Sequence, residues 1–391
     1  MSVRTGLDLL AAGEPDALRL VRGSRVGLVA HPASVDARLR HAIAVLADAG
    51  AEVVALFGPE HGFAGQAQDM IHVGGDSSSA GPAIHSLYGA TEAELSPKPE
   101  WLRGLDAIVI DLQDVGARYY TFVWTAVLVL EVAAKVGVRT VVLDRPNPLG
   151  GDVVEGAVQR PGYRSFVGLR DVAVRHGMTI GEIVSRARRE LGIDPNALEV
   201  VRMDGWRRTM RFGDTGLPWV LPSPNMPTVD TAVVYPGGCL VEGTRFSEGR
   251  GTTRPFEIWG APTIDGEQLA RSVAIEGATL RPLSFQPTFQ KHAGALCGGV
   301  QVHVTDESRF RSYDAYLRLI DAAIRQRPDA PRWRTEMYEY VVDRPAIDLL
   351  TGGPEFREAV DAGRGLDDVL AAERAGAVAF ERERSVDLLY R

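Results

Sequence analysis

Glu60 and His61 are the residues of this sequence best placed to do chemistry, because they closely follow a short apolar run. That run, residues 53–57, is continuously apolar, which is the pattern of a buried strand in a parallel sheet. Ligands of open α/β sheets bind at the edge formed by the carboxyl ends of the strands. Pro59 and Gly62 favour a stiff turn there, so Glu60 is suited to act as a general acid or a nucleophile. The alternatives for such a glutamate are a helix N-cap and an ion pair with a nearby arginine.

Two further apolar runs end in polar side chains in the same way. The third run of the chain is followed by Asp111 and, three residues later, by Asp114. Either aspartate could be a second catalytic group, although Asp114 could equally cap the helix predicted to follow. Arg118 and Tyr119 stand at the start of that helix and are candidate substrate ligands. The fourth run leads into a Pro-Asn-Pro sequence, whose rigid backbone aims the amide of Asn147 and suits it to sugar hydroxyl or acetamido groups.

The segment from about residue 213 to 263 is rich in proline and glycine and has little helical periodicity. We therefore predict a long ordered loop, a kind of segment that often carries function. In residues 247–254, glycines alternate with arginines and threonines, so backbone N–H groups and guanidinium groups predict a carboxylate or phosphate site. A solvated loop is the alternative there. The candidate residues of the whole segment are Asn225, Glu242, Glu248, Arg250, Thr252 and Arg254.

Other kinds of site are less well supported by the motifs. His31, His61, Asp111 and Asp144 could converge on a metal ion, but no His-Glu-x-x-His pair is present, so a metal site is the lesser alternative. No Gly-x-Gly-x-x-Gly follows the first strand, which argues against a dinucleotide. No Gly-x-Ser-x-Gly elbow for a serine nucleophile is present either. We predict no cofactor and no metal.

Alternating strands and helices must position these groups. Predicted strands lie at residues 25–30, 53–57, 107–110, 140–143 and 198–202, and predicted helices at 42–49, 121–135 and 180–191. Apolar strands joined by helices indicate a parallel sheet covered on both faces. Later in the chain we predict a strand at about 300–304 and helices at about 312–325, 355–362 and 366–375. The fold class is therefore α/β, with a Rossmann-like catalytic domain over residues 1–262 and a smaller α+β domain over residues 263–391.

Composition narrows the class of partner. The chain of 391 residues has a net charge of −8, which argues against a nucleic-acid-binding protein with a basic face. Cys239 and Cys297 are expected to be buried thiols, since two cysteines make no disulfide framework. The most apolar run, residues 122–134, is too short to span a bilayer, so no membrane association is predicted. The N-terminus resembles no signal peptide. The expected compartment is the cytoplasm, or the periplasm or exterior if a leader is missing.

Several of these segments together resemble the exo-β-N-acetylmuramidases of the NamZ type. The likeness extends from about Gly6 to the C-terminus, and its long, ordered matches are more specific than any single motif. The matching segments are residues 57–62 (FGPEHG), 111–121 (DLQDVGARYYT), 143–148 (LDRPNP), 175–179 (RHGMT), 217–219 (LPW), 222–227 (PSPNMP), 242–244 (EGT) and 249–257 (GRGTTRPFE).

The resemblance implies an exo-acting glycoside hydrolase that removes terminal N-acetylmuramic acid from the non-reducing end of peptidoglycan fragments. It also implies a Rossmann-like catalytic domain with a smaller C-terminal domain, and Glu60 coincides with the glutamate proposed as catalytic in that family. Members are often exported, whereas no leader is visible here, so recycling of imported muropeptides is one expectation. Oligomeric state stays open. The alternatives are a non-catalytic muropeptide-binding protein and a metal-dependent hydrolase of a small phosphorylated substrate.

The chemistry of glycoside hydrolysis assigns roles to the candidates. A carboxylic acid must protonate the leaving oxygen, and a second carboxylate usually assists. Glu60 is the predicted acid, and Asp111, Asp114 or Glu248 the predicted second group, unless the substrate's 2-acetamido group itself attacks. The free carboxylate of the lactyl ether suits a bidentate arginine. The catalytic candidates are Glu60, His61, Asp111, Asp114 and Glu248; the substrate-binding candidates are Arg118, Tyr119, Asn147, Asn225, Glu242, Arg250, Thr252 and Arg254.

Overall fold

A six-stranded parallel sheet forms the N-terminal part of the computed structural model, which describes residues 2–65, 67 and 81–391. The strand order is β3-β2-β1-β4-β5-β6, so the order reverses between β1 and β4. In doubly wound sheets, such a reversal opens a crevice at the carboxyl edge where ligands bind. The prediction of a Rossmann-like sheet is confirmed. The strands are β1 (Arg25–Ala30), β2 (Glu52–Gly58), β3 (Ala83–Ser86), β4 (Ala107–Asp111), β5 (Arg139–Leu143) and β6 (Leu198–Val201).

The strands are apolar on both faces because each face is covered. Along β4, Ala107 and Val109 pack into one hydrophobic cluster, whereas Ile108 and Ile110 pack into the other. Alternate residues of a strand point to opposite faces, so a strand covered on both sides must be apolar throughout. The helices of this part are α1 (Gly6–Ala11), α2 (Pro15–Leu18), α3 (Ala42–Asp48), α4 (Phe122–Lys135) and α5 (Ile180–Glu190).

A three-stranded antiparallel sheet and six helices make up the rest of the chain, with strand order β7-β9-β8. The α+β character expected for this part is confirmed. Its strands are β7 (Ile258–Ala261), β8 (Ala278–Phe285) and β9 (Cys297–Val304); its helices are α6 (Val229–Gly238), α7 (Gly266–Ser272), α8 (Ser312–Gln326), α9 (Ala346–Thr351), α10 (Glu355–Asp361) and α11 (Asp367–Arg384). Short 3-10 helices lie at Glu92–Leu95, Pro99–Leu102, Pro195–Ala197, Phe212–Thr215, Cys239–Gly243 and Ser385–Asp387.

The prediction of a long loop over residues 213–263 is wrong in its centre, where α6 forms. Residues 231–238 are all buried, so this helix has no polar face that would give the sequence a helical period. It also contains Pro236, which normally argues against a helix. The domain boundary at residue 262 stays a prediction.

One hydrophobic cluster runs through both parts of the chain and fixes their relation. It includes Ile110 of β4, Trp259 of β7 and Tyr316 of α8. Both cysteines are buried free thiols, as expected. Within the described ranges, no helix combines the length and the apolar character needed to cross a bilayer.

Candidate active site

A pocket lies between the carboxyl end of β2, the first turn of α4 and segments from the C-terminal half of the chain. Residues far apart in sequence meet there, because the continuous core holds the two parts together. The polar side chains that line it are Glu60, His61, Tyr119, Tyr120, Thr121, Ser223, Asn225, Tyr235, Glu242, Arg250, Tyr338 and Glu339.

Glu60 is held in this pocket by a hydrogen bond from α4. The Thr121 hydroxyl donates to Oε2 of Glu60 over 2.7 Å. Thr121 is the N-cap residue of α4, yet its side chain makes no capping bond to the helix, because the hydroxyl is directed to Glu60 instead. A Cβ on Gly58 would lie 2.3 Å from the backbone nitrogen of Phe63, so the turn that presents Glu60 requires glycine at that position.

His61 is fixed in one tautomer beside Glu60. Its Nδ1 lies 2.9 Å from the carbonyl oxygen of Ala67, which can only accept, so Nδ1 carries the proton and Nε2 is the free lone pair. Burial lowers the pKa of His61, and the Arg250 charge adds to this, against the opposing effect of Glu60. The ring is therefore neutral near pH 7. The backbone of His61 has a φ of +70°, a value that is rare outside glycine and is typical of functional sites.

Glu242, which also lines the pocket, forms the centre of a charged network. Arg250 donates to Oε1 over 2.7 Å, and the Tyr338 hydroxyl donates to Oε2 over 2.7 Å. Burial acts to raise the pKa of Glu242, but the charge and hydrogen bond of Arg250, together with the hydrogen bond from Tyr338 and the charge of Lys291, outweigh it and leave the pKa lowered. Glu242 is therefore ionised, with both oxygens engaged.

Arg250 also approaches Glu248, at 3.4 Å between Nε and Oε1. The other oxygen of Glu248 accepts a 3.0 Å hydrogen bond from Lys291. Glu248 is buried behind Arg250 and is not among the residues that line the pocket. The guanidinium of Arg250 is further held over the Phe256 ring, 5.1 Å from its centroid. These contacts favour an orienting role for Glu248 over the catalytic role predicted from the sequence.

Asp111 and Asp114, the other predicted second carboxylates, lie outside the pocket lining. Asp111 is fully buried and forms a bidentate ion pair with Arg145, at 2.5 and 2.8 Å, which ties β4 to the end of β5. Asp114 accepts from the backbone N–H of Gly116 at 2.9 Å and lies 3.3 Å from Nε2 of His176. The alternative that Asp114 caps α4 is wrong, because Thr121 holds the N-cap position.

Arg118 and Asn147 are engaged with backbone groups away from the pocket. Arg118 is fully buried and donates to the carbonyl oxygens of Ala157 at 2.9 Å and Leu350 at 2.7 Å. Asn147 donates to the carbonyl oxygen of Met178 over 3.0 Å. Neither lines the pocket, so both side chains stabilise loop packing.

Thr252 and Arg254 also lie outside the pocket lining. The Thr252 hydroxyl donates to the carbonyl oxygen of Gly249 at 2.6 Å, which closes a turn. Arg254 is partly exposed and pairs with Glu257 at 3.3 Å. Of the two arginines in the predicted anion site of this loop, Arg250 lines the pocket and Arg254 does not.

Tyr119 and Asn225, two of the predicted substrate ligands, line the pocket, and their role as ligands stays a prediction. The Tyr119 hydroxyl donates to the carbonyl oxygen of Pro236, and burial raises its pKa well above the usual value. Burial has the same effect on the pKa of Tyr120 and of Tyr235, so these phenols stay protonated.

Sequence reasoning did not single out Thr121, Ser223, Tyr338 or Glu339. Thr121 and Ser223 lie within segments that carry the family resemblance, but nothing in those segments indicates what either side chain does. Tyr338 and Glu339 have no such signal, because their approach to Glu60 depends on the packing of the two parts of the chain.

No group of three or more His, Cys, Asp and Glu side chains is placed to hold a metal ion in the part of the chain that the structure describes. His31, one candidate ligand, uses Nε2 to accept from the backbone N–H of Gln113 at 3.0 Å. Its Nδ1 lies 3.3 Å from the carbonyl oxygen of Pro222. Burial, with the Arg145 charge, lowers the pKa of His31 to about 3, so it is a neutral structural residue.

Comparison with protein-family models matches nearly the whole chain to two domains. Residues 26–230 match the model described as exo-β-N-acetylmuramidase NamZ, N-terminal, and residues 233–390 match the corresponding C-terminal model. Peptidoglycan β-N-acetylmuramidase NamZ of Bacillus subtilis (strain 168) is 41% identical over an alignment 393 positions long, which covers 99% of this chain and 91% of that protein.

Two crystal structures of DUF1343 family proteins from Bacteroides fragilis share the fold. One superposes with a TM-score of 0.87 at 31% identity, and the other with a TM-score of 0.73 at 26% identity. Each alignment covers 100% of this chain and 99% of the other.

Proposed function

The chain belongs to the family of the exo-β-N-acetylmuramidase NamZ, and from this premise we propose that it hydrolyses peptidoglycan fragments at a terminal N-acetylmuramic acid. It is a glycoside hydrolase. It acts on the β-linked residue at the non-reducing end and releases N-acetylmuramic acid.

The observation that carries this proposal is the position of Glu60. It lies just past the carboxyl end of β2, is 7% exposed, and shares one pocket with two further glutamates, Glu242 and Glu339. Glycoside hydrolysis requires a carboxylic acid at the leaving oxygen and usually a second carboxylate near the sugar ring. A pocket that brings glutamates together from both halves of the chain meets that requirement.

In the proposed mechanism, Glu60 is the general acid. Its proton passes to the glycosidic oxygen while the bond between that oxygen and the anomeric carbon breaks, which creates an oxocarbenium-like transition state. The Thr121 hydroxyl occupies Oε2, so the proton is delivered from Oε1. His61, neutral and with its Nε2 lone pair available, accepts a hydrogen bond from the substrate or a bound water.

Arg250 and Asn225 are the proposed ligands of the muramic acid. Glu242 and Glu248 hold the Arg250 guanidinium in one orientation, which favours a bidentate contact with the lactyl carboxylate. With Lys291 included, these four side chains carry no net charge. Selectivity for the lactyl group therefore rests on guanidinium geometry. Asn225 is assigned to a hydroxyl or the acetamido group.

Fragments with defined ends test the activity. The protein is incubated with peptidoglycan saccharides whose non-reducing end is either N-acetylmuramic acid or N-acetylglucosamine, and the products are identified by mass spectrometry. We expect free N-acetylmuramic acid from the first kind and no cleavage of the second. Internal cleavage of either kind would contradict the exo-acting assignment, and no cleavage of either would contradict the glycosidase.

A further inference from the structure

We propose that Lys291 is a positioning residue that allows the pocket to accept the negatively charged lactyl group of N-acetylmuramic acid. This role rests on the function proposed above and adds to it a residue that determines substrate specificity. Lys291 belongs to the loop at residues 286–296, between β8 and β9, and does not line the pocket itself. It acts on the substrate only through the residues that it holds.

The charges of the pocket lining do not by themselves suit an anionic sugar. Among the residues that the structure describes, three glutamates and a single arginine, Arg250, line the pocket. Glu242, one of the three, is ionised, and Glu248 is buried 3.4 Å from Nε of Arg250. Two carboxylates therefore surround one guanidinium, and uncompensated negative charge there would oppose the binding of a further carboxylate. A second positive charge is needed for balance.

Lys291 supplies that second positive charge. Its ammonium donates to Oε2 of Glu248 over 3.0 Å, while Oε1 of the same residue faces Arg250. The ammonium also donates to the carbonyl oxygens of Val241 and Glu242, each at 3.1 Å. It thus contacts the side chain of one glutamate and the backbone of the other. With Lys291 the four side chains are neutral together, whereas without it they carry one net negative charge.

The ammonium also fixes the backbone from which Glu242 reaches the pocket. Val241 and Glu242 lie in the 3-10 helix Cys239–Gly243, close to its C-terminal end. The last carbonyl groups of a helix lack partners within the helix, and a cation there is stabilising. Because Lys291 binds these carbonyls, it steadies the turn that carries Glu242 as well as the side chain of Glu248. The orientation of Arg250 therefore depends on Lys291 through both of its glutamates.

The loop that carries Lys291 is bent on both sides of this residue. Its neighbours Gln290 and His292 both have positive φ, +62° and +59°. Such values are uncommon outside glycine, and they cluster at sites where strained geometry serves function. The loop is also fastened to the segment beneath it, because Thr288 donates to the carbonyl oxygen of Gly251 from its N–H at 3.1 Å and its hydroxyl at 3.0 Å. The ammonium is thereby held in place.

Removal of this charge should weaken the binding of the lactyl carboxylate by a predictable amount. The side chain of Lys291 is 21% exposed and that of Glu248 2%, so solvent screens the pair only in part. In the proposed pose, Glu248 and Arg250 separate the ammonium from the carboxylate by roughly 8–12 Å, and at an effective dielectric constant of about 20 one charge at that distance changes affinity about 10- to 30-fold. A lactyl methyl ester is uncharged and should respond little.

Three variants and a control test the role of Lys291. Lys291→Met removes the charge and keeps most of the length of the side chain, whereas Lys291→Arg keeps the charge. The double variant Lys291→Met/Glu248→Gln removes one charge of each sign and restores the balance. The control is Lys135→Met, the same chemical change at the exposed end of α4, about 20 Å along the helix from Thr121. Each protein is assayed on 4-nitrophenyl β-N-acetylmuramide and on its lactyl methyl ester, with thermal unfolding measured alongside.

We expect KM for the muramide to rise about 10- to 30-fold in Lys291→Met. Its kcat should stay within about threefold of wild type, because the acid that protonates the leaving oxygen is unchanged, and KM for the ester should stay within the same range. Lys291→Arg and the double variant should each recover most of the affinity for the muramide. Lys135→Met should match wild type on both substrates.

Two results would overturn the role of Lys291 while leaving the glycosidase in place. One is an equal loss on the muramide and the ester in a folded Lys291→Met, which a purely structural contact would produce. The other is KM for the muramide within about threefold of wild type in that variant. If Lys291→Met does not fold, a folded double variant that still binds the muramide poorly would overturn the role. A wild-type protein that cleaves neither substrate would instead overturn the proposed function itself.

Discussion

The hydrogen bond from Thr121 to Glu60 allows a quantitative prediction for Thr121→Val. Valine has nearly the shape of threonine, so the substitution removes the 2.7 Å bond to Oε2 of Glu60 and little else. Thr121 is the N-cap residue of α4 but makes no capping bond, so the helix should not lose a cap. The expected effect therefore falls on the orientation of the catalytic acid.

The magnitude follows from the kind of bond. Because Glu60 carries its proton as the general acid, this is a hydrogen bond between neutral groups, which contributes about 0.5–1.5 kcal/mol. If that whole contribution holds Glu60 in its productive position, kcat/KM should fall by about 2- to 12-fold, since about 1.4 kcal/mol corresponds to a factor of ten. Most of the loss should lie in kcat, because the hydroxyl contacts the acid and not the sugar.

The matched control is Thr125→Val, which makes the same chemical change one turn further along α4. Thr125 is also fully buried, and its hydroxyl makes no hydrogen bond within the described structure. Steady-state kinetics on a chromogenic β-N-acetylmuramide compare the two variants with wild type. If Thr121→Val were no slower than Thr125→Val, the orienting role of this bond would be refuted.

Three further predictions concern recognition and stability. Arg250→Lys should lower kcat/KM for a β-N-acetylmuramide at least about tenfold more than for the matching glucosaminide, since a bidentate contact is worth about 1.4 kcal/mol or more; equal losses would exclude a lactyl clamp. Asp111→Asn should lower the free energy of unfolding, measured in urea, by about 3–5 kcal/mol, because it leaves Arg145 buried without its partner charge. The control is Asp16→Asn, which removes an exposed ion pair and should leave the free energy of unfolding unchanged. Burial raises the pKa of Asp144 from 3.8 to about 6, so its ionisation makes the free energy of unfolding fall as pH rises from about 4 to 6. Asp144→Asn should flatten this pH dependence, and an unchanged slope would contradict the raised pKa of Asp144.

The central strands could be predicted from the sequence because they are buried on both faces. β4 is buried at all five positions, and a strand in that environment must be an unbroken apolar run. Glu60 was singled out for the same reason, since a polar pair closely following such a run is expected at the ligand-binding edge of the sheet. The edge strand β3 and strand β8 escaped prediction because both are partly exposed and their composition is mixed.

The ion pairs in and around the site could not be predicted from the sequence. Asp111 and Arg145 are 34 residues apart and meet only because β4 and β5 are neighbours. Glu242 and Arg250 are close in sequence, yet nothing in the sequence distinguishes an arginine that pairs with a buried carboxylate from one that binds a ligand. Glu339 was missed because its turn has a sequence, Tyr-Glu-Tyr-Val, that does not predict a turn at all.

The most direct test of the central claim compares wild type, Glu60→Gln and Glu248→Gln on paired chromogenic substrates, a β-N-acetylmuramide and the matching β-N-acetylglucosaminide. We predict selective release from the muramide by wild type. That activity should fall in Glu60→Gln at least as far as the loss of a general acid implies, about 100-fold or more, whereas Glu248→Gln should lose less. Retention of activity in Glu60→Gln with loss in Glu248→Gln would contradict the account, because the acid would then lie behind Arg250 and not at the end of β2.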